Sequence, residues 1–211
     1  SYVAIVTNGG GGASLCRGHA VTRWREDRTR DPGSQFVYLR DVHSGEVWSA
    51  AHQPIGKEAD AYRVELLAEK AIIERLDHEI ECRLEVAVSP EDDAEVRRVS
   101  VTNRSTRPRE IELTSYVEVA LASLAEDAAH PAFGKLFIET EWVPESTALV
   151  ARRRTRSPRD PAFFAFHVLS MDGRAQGQVE WETDRMRFLG RGRGPDDPVA
   201  LDSRALSGTT G

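Results

Sequence analysis

Alternation constrains this chain more than any other feature. Ile80, Cys82, Leu84, Val86 and Val88 take every second position of one segment, and Glu81, Arg83 and Glu85 take the places between them. A period of two sends one set of side chains to a core and the other to water, as in a half-buried antiparallel strand. The same pattern recurs in Tyr2–Thr7, Gln35–Arg40, Tyr62–Ala68, Ala71–Leu76, Val96–Asn103 and Arg109–Val119. It returns in Lys135–Trp142, Thr147–Arg153, Ala162–Ser170, Gln178–Thr183 and Arg185–Leu189. Asp41–Gly45 reads as a turn, so Gln35–Arg40 and Glu46–Ala50 form a hairpin. One stretch, Ala120–Ala129, has the alanine content of a short helix, and His130–Phe133 reads as a loop or edge. About a dozen strands separated by turn signals predict an all-β fold of packed antiparallel sheets.

Composition narrows the function classes. Hydrophobic residues make up 40% and charged residues 29%, values of a folded protein rather than a disordered one. The net charge of −6 disfavours phosphate-backbone binding. The densest basic run is Arg152, Arg153, Arg154, Arg156 and Arg159, and it follows Glu139, Glu141 and Glu145. It therefore reads as a solvated strand end, with no nucleic acid as partner. No apolar run reaches about eighteen residues, so no membrane contact is expected of this domain. Cys16 and Cys82 lie far apart, without metal-type spacing, and are expected as reduced thiols.

Motifs for chemistry are sparse. Asn8–Gly12 is glycine-rich and follows a strand, but the Lys-Ser/Thr pair and helix of a phosphate cradle are missing. Its bare backbone suits either a plain turn or the close approach of a ligand or another domain. The six histidines show no converging spacing, so no metal or other cofactor is expected. No nucleophile-elbow sequence occurs. Carboxylates are abundant, and sequence alone does not tell which of them folding brings together. The richest segment is Arg23–Asp31, where Trp24 stands among Arg23, Arg25, Arg28 and Arg30 and three acids. An indole face stacks on the C–H side of a pyranose, while guanidinium and carboxylate groups bind hydroxyls. The same mixture serves a salt-bridged loop around a half-buried tryptophan. Trp48, Trp142 and Trp181 lie in expected strands and read as core.

Several segments form an ordered series: Thr22–Asp27, Val37–Asp41, Ser44–Ser49, Glu95–Asn103, Thr114–Glu118, His130–Phe137 and Phe188–Arg193. Together they resemble the N-terminal β domain of the inverting disaccharide phosphorylases, with particular likeness to the phosphorylase-like region of cyclic β-1,2-glucan synthases. The resemblance covers nearly the whole chain. It implies an antiparallel β super-sandwich, galactose mutarotase-like, with little helix, over residues 1–195. Residues 196–211 would then lead towards a helical (α/α)₆ catalytic barrel that carries the general acid, so this chain by itself is expected to be non-catalytic.

Carried over position by position, the resemblance implies substrate-binding positions at Gly10, Gly11, Gly12, Arg23, Trp24, Arg25, His130 and Lys135. Pro131-Ala132-Phe133 stands where several phosphorylases are amide-rich. The implied partners are carbohydrate, the catalytic barrel and a second copy of the chain, in a cytoplasmic setting. Three functions follow as expectations. The first is a carbohydrate-binding module. The second is a scaffold that docks through an apolar patch around Leu121, Leu124 and Phe133. The third is a small mutarotase-like enzyme using His167 and a glutamate as acid and base.

Overall fold

A computed structural model describes residues 1–23, 35–155, 157, 162–203 and 205–210. Contacts divide the chain into two compact units. The first holds residues 1–18 and 22–118, and the second holds 19–21 and 119–211.

The first unit starts with a hairpin, β1 (Tyr2–Val6) and β2 (Gly12–Cys16), paired so that Val6 faces Gly12. After β3 (His19–Thr22) come β4 (Gln35–Asp41) and β5 (Val47–Ser49), the expected hairpin, with β10 (Ile111–Val117) on the other side of β4. Asp41 makes the turn by accepting from the backbone N–H groups of His43 and Ser44, and Gly45 closes it at φ +74°. A four-stranded meander follows: β6 (Ala61–Leu66), β7 (Lys70–Asp77), β8 (Ile80–Val88) and β9 (Glu95–Asn103). Between β7 and β8 only His78 and Glu79 turn the chain, both at positive φ, the conformation that matches strand twist in a two-residue hairpin.

The alternation of β8 is realised as read. Ile80, Cys82, Leu84 and Val86 are buried and pack with Ile73, Leu39 and Trp48 in one core that joins the two sheets. The opposite face carries ion pairs between β7 and β8, Lys70–Glu85 at 2.8 Å and Arg83 with Glu74, and one along β8, Arg83 with Glu85. Such exposed pairs keep the face solvated and add little stability. Inside the same unit lies a different pair. The Arg75 guanidinium, 0% exposed, binds Asp77, 2% exposed, through two bonds of 2.6 and 2.7 Å. Its remaining donors reach the carbonyls of Ala51 and Lys57, so it also holds the segment between β5 and β6.

The second unit places β3 beside β11 (Val119–Ser123) and contains the sheet β12 (Ile138–Val143), β13 (Ala148–Arg153) and β14 (Phe163–Val168). Three short helices accompany them: α1 (Leu124–Ala129), α2 (Pro131–Lys135) and α3 (Arg185–Leu189).

Some expectations change here. Residues 120–123 are strand, and the helix starts where Ser123 caps it, its hydroxyl accepting from the Glu126 N–H while Glu126 returns to the Ser123 backbone. His130 joins α1 to α2, and Pro131 opens α2 at a position where its missing N–H costs nothing. Arg185–Leu189 is a helix and not a strand: the Asp184 carboxylate accepts from the N–H groups of Met186 and Arg187. Gln178–Thr183 forms no strand, and residues 208 and 209 bond to it instead, with Gly208 N–H to Trp181 O at 2.9 Å. Trp142 and Trp181 stack at 4.2 Å and 13°, both half-buried.

The fold is thus all-β and antiparallel with little helix, a super-sandwich consistent with galactose mutarotase-like topology.

Candidate functional site

The expected positions fall in both units, and each group is described within its own. In the first unit, Gly10, Gly11 and Gly12 are all buried. Thr7 and Gly11 close the loop through a 2.8 Å backbone bond, and Gln53 donates its N–H to Gly9 O at 2.8 Å. Gly10 sits at φ +87°, where an added Cβ would lie 2.1 Å from the Ala51 Cβ. Gly12 would meet Ile5 O at 1.8 Å. The close approach that a bare backbone allows is therefore taken up by the protein's own segment at Ala51 and by β1. The exposed side of this loop carries a residue that periodicity did not single out. Tyr62, 40% exposed, donates its hydroxyl to Asn8 O at 2.6 Å and sets its ring edge-on to His52. Burial raises the Tyr62 phenol above its ordinary pKa.

Arg23 is 3% exposed, engaged within the protein, and donates its N–H to Glu118 O at 2.7 Å. Trp24 and Arg25 lie outside the described residues.

In the second unit the sequence brings His130 and Lys135 onto one short helical stretch. His130 is exposed, and its carbonyl accepts from Gly134 N–H at 2.9 Å, while Lys135 is half-buried and engaged. Around them the chain exposes apolar groups: Leu124 is 57%, Phe133 52% and Leu136 69% exposed. Leu121, expected with them, is instead buried at 3%, because it belongs to β11.

Phe133 meets Phe137 edge-on, with centroids 5.1 Å apart. The guanidinium groups of Arg153 and Arg154 stand 5.7 and 5.5 Å from the Phe137 ring. Arg153 also donates to Ala120 O and Gly134 O, which ties β13 to the start of β11 and to α2. This patch mixes aromatic surface with cationic donors, a chemistry for stacking on a ring and binding hydroxyls. Arg153 and Arg154 were legible in sequence only as part of a basic run; their place beside Phe137 comes from the pairing of β12 with β13. Among the described residues, no group of three or more His, Cys, Asp or Glu is arranged to hold a metal ion, and no helix is long and apolar enough to cross a membrane.

Of the ordered series, the segment Phe188–Arg193 is structural. Phe188 and Leu189 are buried, Gly190 ends α3 at φ +89°, and Arg193 staples the following loop through Asp197 and Asp202.

Comparison with known proteins gives the chain its relatives. It is 36% identical over 211 residues to cyclic beta-(1,2)-glucan synthase NdvB of Rhizobium meliloti (strain 1021), covering 100% of this chain and 8% of that protein. It is 26% identical to solabiose phosphorylase of Paenibacillus borealis over 83% of this chain and 22% of the relative. It is 25% identical to N,N'-diacetylchitobiose phosphorylase of Vibrio furnissii over 95% of this chain and 25% of the relative. The chain thus spans a quarter or less of the length of these relatives. Residues 1–211 match the family described as glycosyl hydrolase 94, supersandwich domain, which is the β domain and not a catalytic barrel. With that match running along the whole chain, this protein belongs to the glycosyl hydrolase 94 supersandwich family.

Proposed function

We propose that this chain is a non-catalytic carbohydrate-binding domain that holds a β-linked glucan for a catalytic region of the same polypeptide. The observation that carries the reading is the α1–α2 patch, where exposed Phe133 and the Phe137 ring lie beside Arg153, Arg154, His130 and Lys135. Relatives named as a glucan synthase and as disaccharide phosphorylases support a carbohydrate ligand. Trp24 and Arg25, and Tyr62 on the exposed side of the loop at Gly10, Gly11 and Gly12, are further proposed contacts. Each is tested separately. Residues 1–195 form the binding domain, and 196–211 lead towards the helical barrel. The setting is cytoplasmic, and a second copy of the chain is a further partner.

A shallow aromatic patch gains little beyond the entropy lost on binding, so affinity is expected at about millimolar. The test is a two-dimensional NMR titration with linear and cyclic β-1,2-glucan, with cellobiose for comparison. Saturating shifts at Phe133, His130, Lys135 and Arg153 support the reading. No shift at about ten-millimolar sugar, a concentration above the expected dissociation constant, rejects binding by this chain alone.

The exposure of Leu124, Phe133 and Leu136 favours a second reading, in which the same patch docks the rest of the polypeptide. Sugar would then produce no shifts, and a longer chain would protect these three residues.

A further inference from the structure

Many arginines of this chain answer a carboxylate: Arg40 pairs with Glu112, Arg109 with Asp41, Arg193 with Asp197 and Asp202, and Arg152 with Glu139 at 2.7 Å. Arg153 and Arg154 differ. Their guanidinium carbons stand 5.7 and 5.5 Å from one ring, that of Phe137, and among the described residues neither pairs with an Asp or Glu. Arg153 uses Nη1 alone, on the carbonyls of Ala120 and Gly134 at 3.4 and 3.5 Å, which are long bonds. The Arg154 side chain, which is exposed, donates to no acceptor among the described residues; its backbone N–H is the bonded group, to Phe137 O at 2.8 Å. Acids on neighbouring elements are already engaged, Glu126 in the Ser123 cap and Glu139 with Arg152. Two cations on one ring, without a carboxylate partner in a chain of net charge −6, favour an anion from outside.

We infer that the α1–α2 patch selects a glycan that carries a carboxylate, with a sugar ring on Phe133 and its acid group held by Arg154 and Arg153. The inference rests on the carbohydrate reading above and names the class of sugar within it. Phe137 stands between the two parts of the site, 5.1 Å from the Phe133 ring and beside both guanidinium groups. A ring seated on the exposed Phe133 therefore has both cations within reach of its substituents. A guanidinium offers its N–H donors in a planar fork that matches the two oxygens of a carboxylate. Such charged bonds are about twice as strong as those to a neutral hydroxyl. The ring contact alone gives little at a shallow site, so the acid group supplies the preference. A bare anion lacks the ring contact, and a neutral sugar lacks the charge, so the two features together define the ligand.

The test is an NMR titration with a matched pair of disaccharides, cellobiose and cellobiuronic acid, in which a carboxylate replaces one CH2OH group. Sodium acetate and inorganic phosphate are the anion controls. The acid is expected to bind at least about tenfold more tightly than cellobiose, with shifts at Phe133, Phe137, Arg153 and Arg154. Raising salt from about 50 to about 500 mM is expected to erase most of that preference, because exposed charges are screened. Arg154→Gln is expected to bring the ratio of the two affinities to about one, and Arg154→Lys, which keeps the charge and loses the fork, to restore part of it. Equal affinity for the two sugars while cellobiose still shifts the patch overturns this inference and leaves the carbohydrate reading standing. Acetate or phosphate that shifts the same residues at the same concentration as the acid overturns it, as does a preference that survives Arg154→Gln or high salt. No shift with either sugar at about ten millimolar, above the expected dissociation constant, overturns the inference together with the reading beneath it.

Discussion

Arg75 and Asp77 show how one buried pair organises a loop. Both groups are out of water, and the guanidinium satisfies its donors on Asp77, Ala51 and Lys57. Arg75→Met removes those bonds and leaves an uncompensated carboxylate, so it is expected to cost about 3–5 kcal/mol in urea unfolding. Gly10→Ala is expected to cost about 1–3 kcal/mol, from the positive φ and from the clash with Ala51. Asp41 carries a pH dependence. Burial works to raise its carboxyl, but the Ser44 N–H, the Arg109 guanidinium and the His43 N–H outweigh it and hold the pKa below 3.8. A depressed carboxylate contributes its full stability above its unfolded value and loses it as pH falls through the folded value. Unfolding followed below about pH 4 is therefore expected to show a loss that Asp41→Asn removes.

At the scale of elements, helix ends proved more informative than helix composition. Asp184 before Arg185 and Gly190 after Leu189 are a cap and a stop, and both stand in the sequence. Alternation in Arg185–Leu189 pointed to a strand because a five-residue segment is too short for a period of 3.6 to outweigh one of two. Ala120–Ala129 failed in the opposite way: alanine content ran through a buried strand, and Ser123 marked the true start. Ser123→Ala is expected to lower stability by about 1 kcal/mol in thermal or urea unfolding. β2 and β3 were hidden because glycines and short polar stretches carry no alternation. They are strands because β1 and β11 give them partners.

Over the whole molecule, the two thiols report on the core. Burial pushes the Cys82 thiol up to about 12, and it lies 0% exposed on the core side of β8. Cys16 is partly exposed, and burial followed by Asp93 raises it less. Alkylation at about pH 8 is expected to modify Cys16 in the native protein and Cys82 only on unfolding, with two-step labelling as the readout. The change of unit at Glu118–Val119 falls inside what alternation read as one continuous strand, Arg109–Val119. Local pattern registers the pleat and not the point where a strand leaves one set of neighbours for another.

The sequence by itself determined the all-β class, the core face of β8, the β4–β5 hairpin and the family, since periodicity and ordered segments are local properties of the chain. Tertiary structure decided which neighbours each local signal serves. Gly10–Gly12 could equally have received a ligand, and packing gave that space to Ala51 and β1. Arg153 and Arg154 were charges in a basic run until the β12–β13 register set them beside Phe137. Contacts between residues far apart in the chain depend on strand register and packing, and a periodic pattern carries no record of them.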